Sequence, residues 1–335
     1  MSTLPIGSQV VNPFGAAPML TYDAAYMRDG LSFLSRELEK VDPKIREPLA
    51  STWWPRDMPV RTGGGWLDNV AVINVNYATT GADEDSFIGE QNNNIPSMQA
   101  DFDKEKWVLF SWAHYLDVPY LQQEKLIQIG RNIEEFLNKG IRLFYDKSLD
   151  KNVYKGLTRY NKTGLLNNAG VHRYAVKNNA AGSSAKWKDK TPDEILTDVN
   201  SIIAYTWEAV EHVTAYMANH ILIPIEQYTS LVSRKVGTTG DKSILTYLYE
   251  NNIGLKQGHQ LVIDPLPLCK GAGSGGTDRM VAYCNNIDCV RIDQTVTLRR
   301  LPTETANLMF RTPFVSQFSE VQFLEPASVA YGDDI

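Results

Sequence analysis

Residues 66–77 read WLDNVAVINVNY, and the second half of this segment alternates between apolar and polar residues. Val75 and Tyr77 alternate with asparagines, which is typical of a β-strand with two different faces. A polar, acidic segment follows at residues 81–94, and a second extended run returns over residues 95–112. The pattern predicts a projecting hairpin. Such a hairpin needs another surface to lie on, because a lone two-stranded ribbon is marginally stable in water.

The strongest helical pattern covers residues 119–149. Its apolar side chains recur at three- and four-residue steps, at Leu126, Ile129, Ile133, Leu137, Ile141 and Phe144. Pro119 suits the first helical turn. Gly130 and Gly140 lie along the apolar side, where we expect them to allow close approach of a neighbouring element.

A second helix is predicted to begin at Thr191. Thr191 is the N-cap, Pro192 takes the first helical position and Glu194 the third, as in a capping box. Shorter elements follow: strands at residues 220–224, 261–263 and 280–283, helices at 226–235 and 244–251, and several strands over 290–329. Helices and strands in this order predict an α+β fold.

Composition limits the possible partners. The chain has 335 residues, of which 43% are hydrophobic and 21% charged, and its net charge is −6. It lacks the clustered lysines and arginines of a nucleic-acid grip. No run of about 18 apolar residues occurs, so no membrane-spanning helix is expected. Three cysteines, an odd number, do not suggest a disulfide framework.

Residues 271–276, GAGSGG, fit the spacing G-x-G-x-x-G of a dinucleotide-binding loop. That loop binds a pyrophosphate because a helix N-terminus follows it. Here the next segment reads as a strand, so no cofactor is predicted. A flexible surface turn or a contact loop is the preferred interpretation.

The other candidate catalytic and metal-binding residues lack the partners that such sites need. Glu208 and His212 lie four residues apart on one predicted helix, but a metal site would need further ligands. Cys269 or Ser274 would need a paired base to act as a nucleophile. The acidic residues 83–85 could bind a divalent cation, but calcium needs six or more oxygens in a shaped cage. Neither a catalytic residue nor a metal site is predicted.

Several short segments, in their order, resemble the tailed-bacteriophage major capsid family, whose shell fold is shared with encapsulins. The matching segments are RTGGGW at 61–66, IP at 95–96, LIQIGR at 126–131, GLLN at 164–167, TPDEIL at 191–196, MANHILIP at 217–224, VSRK at 232–235, KGAG at 270–273 and TDRM at 277–280. The resemblance covers roughly residues 30–335, and the joint order of the segments is more specific than any one of them.

The resemblance implies a five-part capsid subunit. Its parts are an N-terminal arm and short helix at 1–50, an extended projecting loop at 51–112, a spine helix and peripheral domain at 113–190, an axial domain at 191–290 and return strands of the peripheral domain at 291–335. The expected subunit contacts are Arg61, Trp66, Asp83, Glu84 and Asp85 in the projecting loop, and Gly271, Gly273, Gly275 and Gly276 in the axial domain.

The resemblance also implies a function. Copies of the chain would assemble into pentamers and hexamers of an icosahedral head in the host bacterial cytoplasm, and the finished virion would enclose double-stranded DNA without sequence-specific binding. Portal, scaffold and decoration proteins are the further partners it suggests, and no enzymatic role is expected. An encapsulin-type nanocompartment shell is the alternative, and an enzyme that uses the Gly-rich loop is the third hypothesis.

Overall fold

A computed structural model of the chain describes residues 51–81, 86–87, 95–128, 133–237 and 242–335. The predicted N-terminal arm and its helix, at 1–50, lie outside these ranges. So do residues 83–85 of the acidic tip.

The described helices are α1 Trp54–Asp57, α2 Tyr120–Gln128, α3 Ile133–Lys155, α4 Pro192–Ala209, α5 Ile225–Ser233, α6 Ile244–Asn251 and α7 Ile253–Lys256. The described strands are β1 Val60–Thr62, β2 Asn69–Thr79, β3 Met98–Pro119, β4 His172–Ala175, β5 His220–Ile223, β6 Val262–Pro265, β7 Arg279–Tyr283, β8 Val290–Gln294, β9 Val296–Arg300, β10 Glu304–Ala306, β11 Met309–Ser319, β12 Gln322–Phe323 and β13 Val329–Asp333. Across these ranges, none of the helices is both long and apolar enough to cross a bilayer.

The strands form three sheets. The first has the order β1-β8-β12. The second has the order β10-β11-β3-β2, with β9 also paired to β11. The third has the order β4-β13-β7-β5-β6. In the third sheet β5 pairs in parallel with β6, and β13 pairs in parallel with β4. The chain is therefore an α+β protein with mixed sheets.

Strand β3 connects the predicted hairpin to the body. Its first half pairs antiparallel with β2, from Met98 opposite Thr79 to Val108 opposite Asn69. Its second half pairs with β11, from Leu109 opposite Ser319 to Pro119. At about 3.3 Å per residue, the 22 residues of β3 span roughly 70 Å. One continuous strand thus anchors the ribbon and projects it.

The helix predicted over residues 119–149 begins and ends at different residues in the structure. It corresponds to α2 and α3, and residues 129–132 between them lie outside the described ranges. Pro119 is the last residue of β3 instead of the first helical turn, and α3 continues to Lys155 because Val153 and Tyr154 are fully buried in the core. A Cβ on Gly140 would meet no described atom within 4 Å, so the expected close neighbour is not found there.

The helix predicted from Thr191 is confirmed. The Thr191 side chain accepts a hydrogen bond from the backbone N–H of Glu194, and the Glu194 carboxylate accepts one from the backbone N–H of Thr191. One face of α4 packs its fully buried side chains, Ile195, Val199, Ile202 and Ile203, against β5, β7 and β13. This local start and apolar face are what the sequence pattern indicates.

Candidate assembly surfaces

The ribbon formed by β2 and the first half of β3 has two chemically different faces. Residues that lie opposite each other in an antiparallel pair share a face. One face carries Ala71, Ile73, Val75 and Tyr77 of β2 together with Lys106, Lys104, Phe102, Ala100 and Met98 of β3. The other carries Val72, Asn74 and Asn76 together with Glu105, Asp103 and Asp101. The ribbon is therefore apolar and basic on one side, and polar and acidic on the other.

The apolar face of the ribbon is exposed. The exposed fractions are 63% for Ile73, 72% for Tyr77 and 68% for Phe102. A contiguous exposed apolar patch on a globular chain usually marks a contact surface for another protein or a membrane. Only near the base, at Val70 and Trp107, does the opposite face of the ribbon become buried.

The base of the ribbon is fixed by an ion pair. Arg61 in β1 donates from Nε to Asp293 Oδ1 over 2.8 Å and from Nη2 to Asp293 Oδ2 over 2.5 Å. Strand β1 pairs in parallel with β8, which carries Asp293. Asp293 is buried, while Arg61 is about half exposed. Arg61 thus contributes to the fold of its own chain, whatever contact its exposed part makes.

Three glycines follow β1, and Trp66 follows them. Gly63, Gly64 and Gly65 have φ values of +108°, +111° and +76°, a region that side chains rarely adopt. Trp66 has an exposed fraction of 54%. The predicted contact residue Trp66 is therefore accessible, whereas Asp83, Glu84 and Asp85 belong to the part of the chain that is not described.

The Gly-rich loop leads into strand β7, as the sequence analysis expects, and not into a helix. Its amides are already bonded to carboxylates: the N–H of Ser274 donates to Asp333 Oδ2 over 3.0 Å, and the N–H of Gly271 donates to Asp278 Oδ1 over 3.2 Å. A phosphate would have to displace these carboxylates and would be repelled by them. The loop is a poor phosphate site.

The predicted contact glycines differ in their surroundings. Gly271, Gly275 and Gly276 have φ values of +67°, +69° and +80°. Gly273 has an ordinary φ, but a Cβ built on it would lie 2.5 Å from Thr277 Oγ1. Positive φ therefore favours glycine at three of these positions, and close packing favours it at the fourth.

The structure also locates the candidate groups Glu208, His212 and Cys269. Helix α4 ends at Ala209, and Glu211 and His212 have φ values of +53° and +63°. The prediction that Glu208 and His212 share a helix is therefore wrong, because the helix ends before His212 and the backbone there is left-handed. Cys269 is fully buried, and this burial raises the pKa of its thiol, so the nucleophilic thiolate is disfavoured.

One cluster of potential metal ligands was missed by the sequence analysis. Asp57, His220 and Asp264 are the one group of this kind found among the described residues, with ligand atoms within 4.8 Å of one another. They lie on α1, β5 and β6, far apart in the chain, and no motif links them. Sheet order and helix packing bring them together.

The chain resembles known proteins in sequence and in fold. The Major capsid protein family profile matches residues 83–335. A search of curated proteins finds no match. Many solved structures share the fold, and three of them illustrate the range. The capsid of Myoviridae phage XM1 has 16% identity and a TM-score of 0.73, with 90% of this chain and 98% of that chain covered.

The other two are more distant. The structure titled Mycobacterium phage Ogopogo has 9% identity and a TM-score of 0.57, covering 90% of this chain and 98% of that chain. The SrpI encapsulin complex of Synechococcus elongatus has 11% identity and a TM-score of 0.54, covering 90% of this chain and 95% of that chain. At these identities the likeness shows the fold, and the family match covers about three quarters of the chain. The chain belongs to the major capsid protein family.

Proposed function

We propose that this major capsid protein assembles into pentamers and hexamers of an icosahedral phage head that encloses double-stranded DNA. Family membership makes the chain a virion component that assembles with copies of itself into a shell. The observation that carries the finer proposal is the exposed apolar face of the ribbon, with Ile73, Tyr77 and Phe102 mostly in solvent. Association with another copy would remove this surface from water.

In the proposed shell, the five segments have different structural roles. Residues 1–50 and 51–112 reach neighbouring copies, 113–190 and 291–335 form the peripheral domain, and 191–290 form the axial domain around five- and six-fold centres. The continuous strand β3 supports this proposal, since it pairs with β2 in the ribbon and then with β11 in the second sheet.

Further partners belong to the same proposal. Portal, scaffold and decoration proteins would attach to the assembled shell, and assembly would take place in the host bacterial cytoplasm. The net charge of −6 suits a container that encloses DNA without gripping it, because counterion release needs clustered basic residues.

The first experiment separates the two ribbon faces. In Y77S/F102S the apolar face loses two large exposed side chains, and we expect a folded, soluble subunit that does not form shells in negative-stain images. The matched control N76S/D101S changes an opposed pair on the other face and should still assemble. Normal shells from Y77S/F102S would contradict the proposed contact.

The second experiment addresses the acidic tip. Replacing Asp83, Glu84 and Asp85 together by lysine should impair assembly and leave the subunit soluble, because three negative charges at the proposed contact are reversed. Intact particles from this triple variant would show that the acidic tip is not part of the interface.

The nanocompartment alternative has its own test. The chain is similar in fold to an encapsulin, so a nanocompartment shell is a related architecture. Terminase and portal genes beside this one indicate a phage head, whereas a cargo enzyme with a docking peptide indicates a compartment. Purified particles that contain a stoichiometric cargo protein and no DNA would favour the alternative.

A further inference from the structure

Asp57, His220 and Asp264, three side chains of types that can bind a metal ion, meet where α1 contacts the third sheet. Asp57 and His220 are buried, and Asp264 is partly exposed. His220 Nε2 is 3.4 Å from Asp264 Oδ2 and 3.7 Å from Asp57 Oδ1. Ligand atoms bound to one tetrahedral zinc ion at about 2.0–2.1 Å lie roughly 3.3–3.5 Å apart. The two distances from His220 are close to this spacing, and all three ligand atoms lie within 4.8 Å of one another.

His220 is the least satisfied member of the cluster. It is about 95% buried, since its exposed fraction is 5%, and Nε2 finds no hydrogen-bond partner in the described part of the chain. A buried polar atom without a partner is rare and costs free energy. Its Nε2 faces two carboxylate oxygens, as an imidazole does in a mixed nitrogen and oxygen metal site.

The cluster holds more negative than positive charge. Two carboxylates share one guanidinium: Arg56 Nε lies 2.5 Å from Asp57 Oδ1 and 3.3 Å from Asp264 Oδ2. Arg56 Nη2 also donates to Asp57 Oδ2 over 3.0 Å and to the Pro265 carbonyl over 3.2 Å. The Arg56 side chain is 36% exposed, whereas Asp57 is fully buried, so Arg56 can leave toward solvent only by breaking these bonds. Arg56 thus occupies the cation position next to both acids and is the natural competitor of a metal ion.

Two tyrosine hydroxyls hold Asp57 in place. The hydroxyl of Tyr154 donates to Asp57 Oδ2, and that of Tyr283 donates to the Asp57 backbone carbonyl. Hydrogen bonds of this kind orient a carboxylate that binds a metal ion.

We propose that Asp57, His220 and Asp264 bind one divalent transition-metal ion of the zinc class, with Arg56 moving outward when the ion enters. The imidazole selects a transition ion over magnesium or calcium, which prefer all-oxygen ligands. The ion ties α1, which directly precedes β1 and the ribbon, to β5 and β6 of the third sheet. This stiffens the base of the ribbon, and the proposal stands independently of the assembly function.

The primary test uses cobalt as a spectroscopic probe. Full-length protein is stripped with a chelator and titrated with Co²⁺, followed by Zn²⁺. We expect one Co²⁺ per chain by equilibrium dialysis, visible d–d bands of a four-coordinate site and loss of these bands when Zn²⁺ is added. H220Q should abolish the bands, and H172Q, at an exposed histidine outside the cluster, should keep them. Identical cobalt spectra for the wild type and H220Q would overturn the proposal.

A second variant distinguishes a metal site from a permanent ion-pair network. R56Q removes the competing guanidinium, and we expect its affinity for Co²⁺ to rise at least tenfold over the wild type. Zn²⁺ should also raise the thermal unfolding temperature of the wild type and of R56Q. If R56Q is merely less stable and binds no more cobalt, Arg56 is a structural partner and the site does not exist. Should H220Q fail to fold, D264N replaces it, because Asp264 is partly exposed.

Discussion

Arg279 in β7 and Asp333 in β13 form a two-pronged ion pair, with Nε 2.6 Å from Oδ1 and Nη2 2.8 Å from Oδ2. The Arg279 side chain is 3% exposed and its guanidinium lies 4.4 Å from the centre of the Tyr331 ring. Asp333 also accepts the N–H of Ser274. A single carboxylate near the C-terminal end of the chain therefore holds both a sheet pair and the Gly-rich loop.

The first prediction concerns the loss of this carboxylate charge. Asp333→Asn leaves a buried arginine without its counter-charge, and we expect a loss of about 3 kcal/mol in the free energy of unfolding. Urea unfolding of the soluble subunit measures it. D334N, at the neighbouring position, is the control and should change stability by less than about 0.5 kcal/mol. An unchanged unfolding midpoint for D333N would contradict the assigned role.

The second prediction is a pH dependence. Burial alone would raise the pKa of Asp333, but hydrogen bonds from Arg279 and Ser274 outweigh it and lower the pKa below the ordinary value of 3.8. The stabilisation is therefore complete above the unfolded pKa and is lost as the pH falls through the lower folded pKa. In a series of unfolding curves down to about pH 3, D333N should lose less stability than the wild type. Parallel curves for the two proteins would contradict this.

The third prediction separates packing from backbone strain in the Gly-rich loop. A Cβ on Gly273 would lie 2.5 Å from Thr277 Oγ1 and 2.8 Å from the Thr277 carbonyl oxygen, so Gly273→Ala requires the loop to move. Gly275 has a φ of +69° but no described atom within 4 Å of its built Cβ, so Gly275→Ala should cost about 1 kcal/mol. Thermal unfolding should rank G273A below G275A, and the reverse order would refute the packing argument.

The fourth prediction concerns the base of the ribbon. Arg61→Ala removes both hydrogen bonds to buried Asp293 and should cost about 2 kcal/mol, a value reduced by the exposure of Arg61 to solvent. Arg61→Lys keeps the charge but loses the two-pronged geometry, so its stability should fall between those of R61A and the wild type. If R61A unfolds at the wild-type urea concentration, the pair is not a structural contact.

The fifth prediction tests the start of α4. Thr191→Ala removes the oxygen that accepts the Glu194 N–H and should destabilise the subunit by about 1 kcal/mol. T191S retains a hydroxyl and serves as the matched control. Equal unfolding temperatures for T191A and T191S would show that the cap is dispensable.

Elements that depend on neighbours a few residues away could be predicted from the sequence. Thr191 and Glu194 bond each other across three residues, so the start of α4 is encoded locally. The alternation in β2 likewise gave its strand and its two faces. The Gly-rich loop could be rejected as a phosphate site because the pattern after it already indicated a strand.

Elements that depend on distant partners could not be predicted in the same way. Residues 113–119 continue β3 because β11, almost two hundred residues later, supplies hydrogen bonds along their whole length. The end of α4 between Glu208 and His212 was equally hidden, since the positive φ values fall on Glu211 and His212 and not on a glycine, the residue that usually signals a positive φ. In both cases the structure depends on contacts that the local pattern does not contain.

Hydrophobic periodicity and capping act over a few residues, so the sequence could indicate most of the short helical and extended segments and, through their order, the family. Tertiary structure alone decided which side chains share a site. Asp57, His220 and Asp264, like Arg279 and Asp333, meet because sheet order and helix packing close long stretches of chain. Those long-range contacts leave no spacing in the sequence from which they can be read.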